Sequence, residues 1–384
     1  MRMSFGMWFG PCVLAVVLSG CGPSADGPCS PECGPGFSCY YGVCVPDEDA
    51  YGADTPVRDD AGRDDAGGDE GGTVTPGRVD LLFVVDNSGS MIEEQRMLAA
   101  NFPLVLDALF SPPEDPVTGE PAYPPVESLH VGVISSDMGT GAFVVPTCGG
   151  NDDGRLLHAP SAGVTGCAAS YPAYLTATTP GAALAHDFEC IATLGTNGCG
   201  FEQQLGALHK ALSVHMAPGG PDAAFLRADA ALAVVVLTDE NDCSTDDSSL
   251  FDPLGPTPLP TRCVDLADRL TPVARYVATL AAARPDGRYA VGFLVGVPPT
   301  LSTCNTTGDL IAPCLADASM QERINPSTGQ VWPVCESLET RATPGVRFVA
   351  LAGELGRRAI VRSICEPRFT EFFARLAELV QTVR

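Results

Sequence analysis

Two apolar runs in this 384-residue chain each end at an aspartate, and this pattern constrains the fold more than any other feature. Residues 79–85 (VDLLFVV) lead directly into Asp86, and residues 230–237 (AALAVVVL) lead into Thr238 and Asp239. Apolar runs of this kind predict buried strands of a parallel sheet. In open α/β sheets, ligands bind outside the carboxyl ends of the strands. The two aspartates are therefore expected at one edge of the sheet, where carboxylate and hydroxyl oxygens suit a hard divalent cation.

From residue 78 onward, apolar runs that predict strands alternate with segments of helical periodicity. Further strands are expected at 129–134, 289–297 and 347–351, and a first helix is expected at 91–101, perturbed by Pro103. Helical spacing relates three further sets of residues, namely Phe201, Leu205, Leu208 and Leu212; Val264, Ala267, Val277 and Leu280; and Phe369, Phe372, Phe373, Leu376, Val380 and Val383. Strands separated by helices predict an α/β fold with a doubly wound, mostly parallel sheet flanked by helices, as in Rossmann-like proteins.

The sequence DNSGS at 86–90, followed later by Thr238 and Asp239, resembles the metal-ion-dependent adhesion site of the von Willebrand factor type A (VWA) family. This resemblance implies that Ser88 and Ser90 bind the ion through their hydroxyls, and that Asp86 and Asp239 hold it directly or through water. It implies a divalent cation, with Mg²⁺ expected and Ca²⁺ or Mn²⁺ as alternatives. It also implies one open coordination position, which a carboxylate of a partner protein fills.

The family's site also takes a threonine from a loop just before a helix on the same edge. Counting back from the helical residues Ala207 and Leu208 places this position at Glu202, whereas counting from the Gly-Thr-Asn segment at 195–197 places it at Thr196. Glu202 is favoured as the metal ligand. A carboxylate there would hold the ion more tightly and reduce its affinity for an acidic group of a partner, which favours a structural cation. Capping of the helix is the alternative role for Glu202.

The first twenty residues predict an export signal. Their apolar segment, 5–18, is too short for an ordinary transmembrane helix. The sequence LSGC at 18–21 resembles a bacterial lipobox, which implies cleavage before Cys21 and lipidation of that residue. Gly22 then implies sorting to the outer membrane, on its periplasmic or cell-surface face. An ordinary signal peptide followed by an unrelated cysteine is the alternative.

Residues 21–45 and 46–77 predict two different segments between the anchor and the large domain at 78–384. Besides Cys21, the first holds four cysteines, Cys29, Cys33, Cys39 and Cys44, in a stretch too short to build an apolar core. Two disulfides are expected there, with the pairing left open, and zinc binding is the alternative. The segment resembles small cysteine knots beside the anchor of bacterial surface lipoproteins. The second holds ten acidic residues and two arginines, which predicts an extended, disordered spacer.

The large domain holds four long connections, 111–127, 139–200, 243–262 and 298–344, and nine of its ten cysteines lie in or beside the last three, with Cys365 further along the chain. The chain has 16 cysteines, and removing Cys12 of the signal segment and Cys21 leaves an even number for disulfides in an oxidising compartment. Clamping of each connection by its nearest cysteines predicts five pairs: Cys148–Cys167, Cys190–Cys199, Cys243–Cys263, Cys304–Cys314 and Cys335–Cys365.

Two other acidic segments have less specific signals. Residues 239–247 hold five carboxylates without the spacing of an EF-hand, so a solvated loop pinned by Cys243 is expected, with a second cation site as the alternative. The segment Asn-Asp-Asp at 151–153 is expected to be a turn.

Composition and missing motifs exclude several functions. A net charge of −25 argues against nucleic-acid binding, because no excess of cations is present to neutralise phosphates. The five histidines, His130, His158, His186, His209 and His215, form no His-Glu-x-x-His motif and are expected on the surface or in loops. Since the sequence also lacks a nucleophile elbow and a phosphate-binding loop, an enzyme is not expected.

The resulting hypothesis is a lipid-anchored, exported protein that binds a divalent cation and, through it, a protein or an extracellular-matrix ligand. A structural envelope protein, with a fixed or absent cation and metal-independent loop contacts, is the main alternative. A secreted hydrolase that uses the acidic edge is a third hypothesis.

Overall fold

The computed structural model describes residues 37–40, 43–46, 77–115, 117–146, 148–337 and 340–383. The chain divides into two units, residues 1–72 and residues 73–384. In the first unit, strands β1 (Phe37–Tyr40) and β2 (Val43–Pro46) form an antiparallel hairpin in which Cys39 and Cys44 occupy opposite positions. The predicted signal segment, Cys21, Cys29, Cys33 and nearly all of the predicted spacer lie outside the described residues.

The second unit is built on one six-stranded sheet. Its strands are β3 (Arg78–Val85), β4 (Ser128–Ser135), β5 (Leu175–Ala177), β6 (Ala231–Leu237), β7 (Tyr289–Val295) and β10 (Ala359–Ser363). They lie in the order β10-β7-β6-β3-β4-β5, and only β5 is antiparallel to its neighbour. A separate two-stranded hairpin consists of β8 (Cys335–Glu336) and β9 (Arg341–Ala342).

Helices cover both faces of this sheet. One face carries α1 (Ile92–Phe110), α2 (Ala182–Ala192) and α7 (Thr370–Thr382), and the other carries α3 (Gln204–Lys210), α5 (Ala274–Ala283) and α6 (Val346–Leu355). A short helix, α4 (Arg262–Asp265), lies in a loop, and a π-helical turn, Ala211–His215, continues α3. The expected doubly wound α/β fold is confirmed. Within the described ranges, no helix is long and apolar enough to span a bilayer.

The order of the strands reverses at β3, which defines where such a sheet binds ligands. From β3 the chain fills the sheet outward to β4 and β5, and then returns to fill the other side with β6, β7 and β10. The carboxyl ends of β3 and β6 therefore meet at the topological switch point of the sheet. The register places Val85 of β3 beside both Leu237 of β6 and Ser135 of β4. The residues that follow these three strands are thus brought together.

The segment 347–351 is helical, and the expectation of a strand there is wrong. These residues belong to α6, whose buried residues Phe348, Ala352 and Leu355 recur at helical spacing. Because the apolar run is short, its composition alone does not distinguish a strand from a buried helix. The last strand of the sheet is β10, which follows α6.

Helix α1 runs through Pro103, although the proline was expected to disturb it. Phe102, next to the proline, is buried and stacks on Phe188 of α2 with 3.8 Å between the ring centroids. Internal proline costs a helix about 3 kcal/mol. The apolar contacts of α1 on both sides of Pro103 offset this cost and carry the helix to Phe110.

Three of the five expected disulfides are confirmed, namely Cys243–Cys263, Cys304–Cys314 and Cys335–Cys365. The pairs Cys148–Cys167 and Cys190–Cys199 are wrong. The structure joins Cys148 to Cys199 and Cys167 to Cys190 instead. The connection 139–200 is not a simple loop, since it contains β5 and α2. Folding of α2 brings Cys190 to Cys167, so the cysteines that are nearest in sequence are not the ones that meet.

A buried ion-pair cluster lies on β3 near its amino end. Asp80 is fully buried, and its two oxygens accept hydrogen bonds from Nε of Arg227 (2.8 Å) and Nη2 of Arg284 (2.9 Å). Arg227 is located before β6 and Arg284 after α5. The cluster therefore ties the central strand to two later connections.

We expect Asp80→Ala to destabilise the fold by about 3–5 kcal/mol, because it leaves two largely buried guanidinium groups without their carboxylate. The matched control is Asp229→Ala, which removes the partner of Arg78 from a pair whose side chains are 42% and 44% exposed. That variant should cost less than about 1 kcal/mol. Urea unfolding with the disulfides intact measures both. Equal losses in the two variants would contradict the assigned role of Asp80.

Candidate metal site

Asp86 directly follows β3 and is fully buried at the switch point of the sheet. Its Oδ1 accepts hydrogen bonds from the backbone N–H of Ser88 (2.8 Å) and the hydroxyl of Ser136 (3.2 Å). Its Oδ2 accepts from the Thr238 hydroxyl (2.6 Å) and the Gln204 side-chain amide (3.3 Å). These four donors fix the orientation of the carboxylate. Burial nevertheless raises the pKa of Asp86 above its ordinary value.

Four side-chain oxygen atoms at this edge are buried without a hydrogen-bond partner, namely Oδ1 of Asn87, Oγ of Ser88, Oε1 of Gln204 and Oδ1 of Asp239. Ser88 and Asp239 are 4% and 3% exposed. The Ser88 hydroxyl lies near the Asp86 carboxylate, but it lacks the geometry of a hydrogen bond. A buried polar atom without a partner costs about 1–3 kcal/mol. Unpartnered oxygens at one edge could serve as ligand atoms, and oxygen is the ligand atom that hard cations prefer.

Glu202 lies before α3 and is 4% exposed. Burial raises the pKa of its carboxyl well above the ordinary value, and the negative charges of Glu240, Asp86 and Asp239 raise it further. Glu202 therefore belongs to the same group of charges as the two aspartates. The capping alternative gains no support, because the residue that precedes α3 is Gln203 and no side chain caps the helix there.

The loop that contains Thr196 lies against the same edge. Gly198 donates its backbone N–H to the carbonyl of Asn87 (2.8 Å), and Gly195 is hydrogen-bonded to the side chain of Gln95 (3.0 Å). Thr196 itself is half-buried between these two contacts. Both candidates for the threonine position thus lie near the switch point, but it is Glu202 whose pKa responds to the charges of Asp86 and Asp239. The preference for Glu202 over Thr196 stays a prediction.

The four carboxylates Asp86, Glu202, Asp239 and Glu240 form what we call the acidic cluster. Glu240 is exposed, and its carboxyl lies close enough to that of Glu202 for its negative charge to raise the pKa of Glu202. None of the four belongs to an ion pair among the described residues, whereas the buried acids Asp80 and Asp242 are paired with arginines. Buried charge of one sign must be neutralised by protons or by a bound cation.

The carboxylates alone do not complete a metal site. Within the described parts of the chain, no three acidic side chains of this cluster bring their oxygens within 4.8 Å of one another. Hydroxyl groups and water must therefore supply part of any coordination shell. The Ser88 hydroxyl is free for this role, and the Ser90 hydroxyl lies within hydrogen-bonding reach of Asp239. With hydroxyl groups and water completing the coordination shell, the donor set fits a hard divalent cation.

The acidic segment 239–247 has three separate roles, so the expectation of one solvated loop is correct only for its end. Asp239 and Glu240 belong to the acidic cluster. Asp242 is fully buried, and it accepts the backbone N–H of Leu205 in α3 (2.9 Å) and Nε of Arg347 (2.9 Å). This contact positions the start of α3. The remaining acidic residues, Asp246 and Asp247, are exposed and pair with surface arginines.

A groove of about 620 Å³ opens beside the acidic cluster. Ser90, Glu202, Asp239 and Glu240 line one part of it. Its apolar wall consists of Val145, Pro146, Phe201, Leu259, Pro260, Val264 and Val331. Arg341 is the one positively charged side chain among these described lining residues. The site is therefore open to a ligand that carries both apolar and charged groups.

Two residues of the site were missed by the sequence argument. Ser136 follows the apolar run of β4 in the same way that Asp86 follows β3, so the same rule could have found it. Gln204, which bonds to both Asp86 and Thr238, has no sequence signal of its own. Its position depends on how α3 packs against the sheet.

The histidines do not gather at a common site, and the expectation that they lie on the surface is wrong for two of them. His130 lies in β4 with Nδ1 2.9 Å from the carbonyl of Phe225, and His215 is 3% exposed. Nε2 of His215 bonds to the backbone carbonyl of Asp153 (2.8 Å). The turn expected at 151–153 lies at 152–155, closed by a hydrogen bond from the backbone N–H of Arg155 to the carbonyl of Asp152 (3.0 Å), and Asp153 within it adopts a left-handed backbone conformation.

Comparisons with known proteins do not assign the chain. A scan against models of protein families and a search of curated proteins both find no match. The geometry of the sheet edge therefore carries the functional argument by itself.

We expect the metal-free protein to lose stability as the pH rises. The folded-state pKa values of Asp239 and Glu202 are raised well above 3.8 and 4.5, so the folded state binds more protons than the unfolded state. By linkage, the free energy of unfolding decreases as the pH rises from the ordinary pKa values, 3.8 and 4.5, through the raised folded-state pKa values. Asp239→Asn should flatten this slope, since the amide does not titrate.

Urea unfolding in the presence of a chelator, at a series of pH values, measures the slope. Asp247→Asn is the matched control, because Asp247 is exposed and its pKa is lowered, so it does not titrate above its ordinary value of 3.8. A stability that stays constant or rises with pH in this window would show that the acidic cluster is not destabilised by its own charge.

Proposed function

We propose that residues 78–384 form a VWA-like domain that binds one divalent cation beside β3 and β6, and that this edge attaches an exported lipoprotein to a protein or matrix partner. One observation carries the proposal. Ser88 Oγ and Asp239 Oδ1 are buried without partners, within a group of carboxylates that forms no ion pair among the described residues and has Arg341 as its nearby positive charge. Oxygen atoms in such surroundings are typical of a hard-cation site.

Different residues of the chain would have different roles in binding Mg²⁺. Ser88, Ser90 and Asp239 would offer oxygens that are free or within reach of the site. Asp86, with two donors on each oxygen, is better suited to orient Ser88 and to hold the ion through water. Glu202 would add a further carboxylate. When bound, the ion supplies a coordination position that a carboxylate of the partner can fill.

Under this proposal, Glu202 stands where the VWA family has a threonine, and this difference favours a tightly held ion. Asp86, Glu202, Asp239 and Glu240 carry four negative charges when ionised, against two positive charges on the ion. The occupied site would therefore remain negative and would attract an acidic group weakly. This balance supports a cation that stays bound, and it keeps the structural envelope protein as the second candidate function.

The amino-terminal segments support presentation at a membrane surface. Under this proposal, Cys21 carries the lipid, residues 21–45 form a disulfide-bonded module, and the acidic spacer at 46–77 extends the domain away from the outer membrane. Full bacterial processing attaches several acyl chains, which stable anchoring requires. These features rest on the sequence alone.

We expect Mg²⁺, Ca²⁺ or Mn²⁺ to raise the melting temperature of the chelator-treated protein, because a ligand that binds only the folded state stabilises it. A free ion concentration one hundred times the Kd should give a rise of roughly 5 °C. Ser88→Ala and Asp239→Asn should abolish the rise. Ser249→Ala and Asp247→Asn make the same chemical changes on an exposed loop and should leave it unchanged.

Two results would contradict the proposal. If no ion raises the melting temperature and the purified protein contains no metal, the edge is not a metal site. If attachment to cells or matrix survives both chelation and Ser88→Ala, the structural alternative with metal-independent loop contacts is favoured. A hydrolase would instead show turnover that Asp86→Ala abolishes.

A further inference from the structure

A histidine lies against one of the disulfides, outside the acidic cluster. Cys190 of α2 is fully buried and is joined to Cys167 in the loop before β5. His186 lies four residues earlier on the same helix, so the two side chains share one helix face. Its Nε2 is 3.8 Å from Sγ of Cys190. The ligand atoms of all three residues lie within 4.8 Å of one another.

His186 is held in the orientation that metal-binding histidines adopt. Its Nδ1 lies 3.4 Å from a carboxylate oxygen of Glu189, which leaves Nε2 facing the sulfur atoms. A carboxylate on the far ring nitrogen can orient a ligating histidine. Glu189 is therefore placed to support His186 as a ligand.

Gly166 leaves the space that the imidazole occupies. It immediately precedes Cys167, and its backbone φ of +83° is in the left-handed region that favours glycine. A Cβ atom at this position would lie 3.3 Å from Nε2 of His186. The loop therefore brings Cys167 to the helix without displacing the histidine.

We propose that this disulfide, once reduced, is a Cys₂His binding site for Zn²⁺. A dithiol reductant supplies two electrons and two protons, so the S–S bond breaks, two thiols form and the dithiol becomes a disulfide. Zn²⁺ then displaces the two thiol protons and binds both thiolates and the neutral Nε2 of His186. Water takes the fourth position.

The observed spacing suits this metal. Zn–S bonds of about 2.3 Å and Zn–N bonds of about 2.0 Å separate the ligand atoms of a tetrahedral site by about 3.5 Å. Cys190 and His186 already lie close to that distance, so α2 can keep its shape. Thiolate and imidazole ligands select Zn²⁺ over Mg²⁺. The site is therefore independent of the acidic cluster.

Co²⁺ binding to the reduced, full-length protein tests the proposal, because thiolate ligands give Co²⁺ a charge-transfer absorption band. We expect a thiolate-to-Co²⁺ band that depends on Cys167 and Cys190 and is lost when Zn²⁺ is added. His186→Ala should weaken binding at least tenfold, and Glu189→Gln should weaken it about tenfold. Circular dichroism checks the fold of each reduced variant.

The other cysteines of the chain are controlled by paired variants. Cys243→Ser with Cys263→Ser removes a disulfide of similar span and should leave this band unchanged. Cys167→Ser with Cys190→Ser should abolish it. The proposal is overturned if the band survives that second double variant, or if His186→Ala binds Co²⁺ as the parent does. It is also overturned if the reduced chain is unfolded and Zn²⁺ does not refold it.

Discussion

Buried negative charge at the carboxyl edge of the sheet is the constraint on which the rest of the structure depends. The register that pairs Val85 with Leu237 places Asp86 and Thr238 side by side, and the loop beyond β6 adds Asp239. Glu202 reaches the same edge from the segment before α3. Burial makes each of these carboxylates reluctant to ionise, so the folded chain favours either protons or a cation there. At neutral pH a bound divalent ion would neutralise this buried negative charge without protonation of the carboxylates.

Strand β3 shows both ways in which a protein can accommodate such a charge. Near its amino end, Asp80 is neutralised within the chain by Arg227 and Arg284. At its carboxyl end, Asp86 has only neutral donors and no ion pair. The first arrangement is complete in itself and ties strands to connections. The second leaves the carboxylate without an ion-pair partner among the described residues, which is why we propose a structural role for one end of β3 and a metal-binding role for the other.

The sequence predicts the four central strands β3, β4, β6 and β7 because long apolar runs mark buried strands and polar residues mark their ends, but it does not predict the outer strands β5 and β10. The same composition fails for 347–351, where a short apolar run belongs to helix α6. Pairing of Cys148 with Cys199 could not be predicted from spacing, since it depends on α2 folding inside the connection. Gln204 reaches Asp86 only through packing of α3, which is a property of the whole fold. The lipid anchor and the amino-terminal disulfides stay predictions.

Anomalous diffraction from crystals grown with Mn²⁺ tests the central claim most directly, because it locates the ion without assuming which residues bind it. We expect one strong peak at the carboxyl ends of β3 and β6, in contact with Ser88 Oγ and Asp239 Oδ1. The peak should be absent from crystals of Ser88→Ala that are grown in the same way. A peak confined to exposed carboxylates such as Asp246 and Asp247, with none at the switch point, would contradict the account.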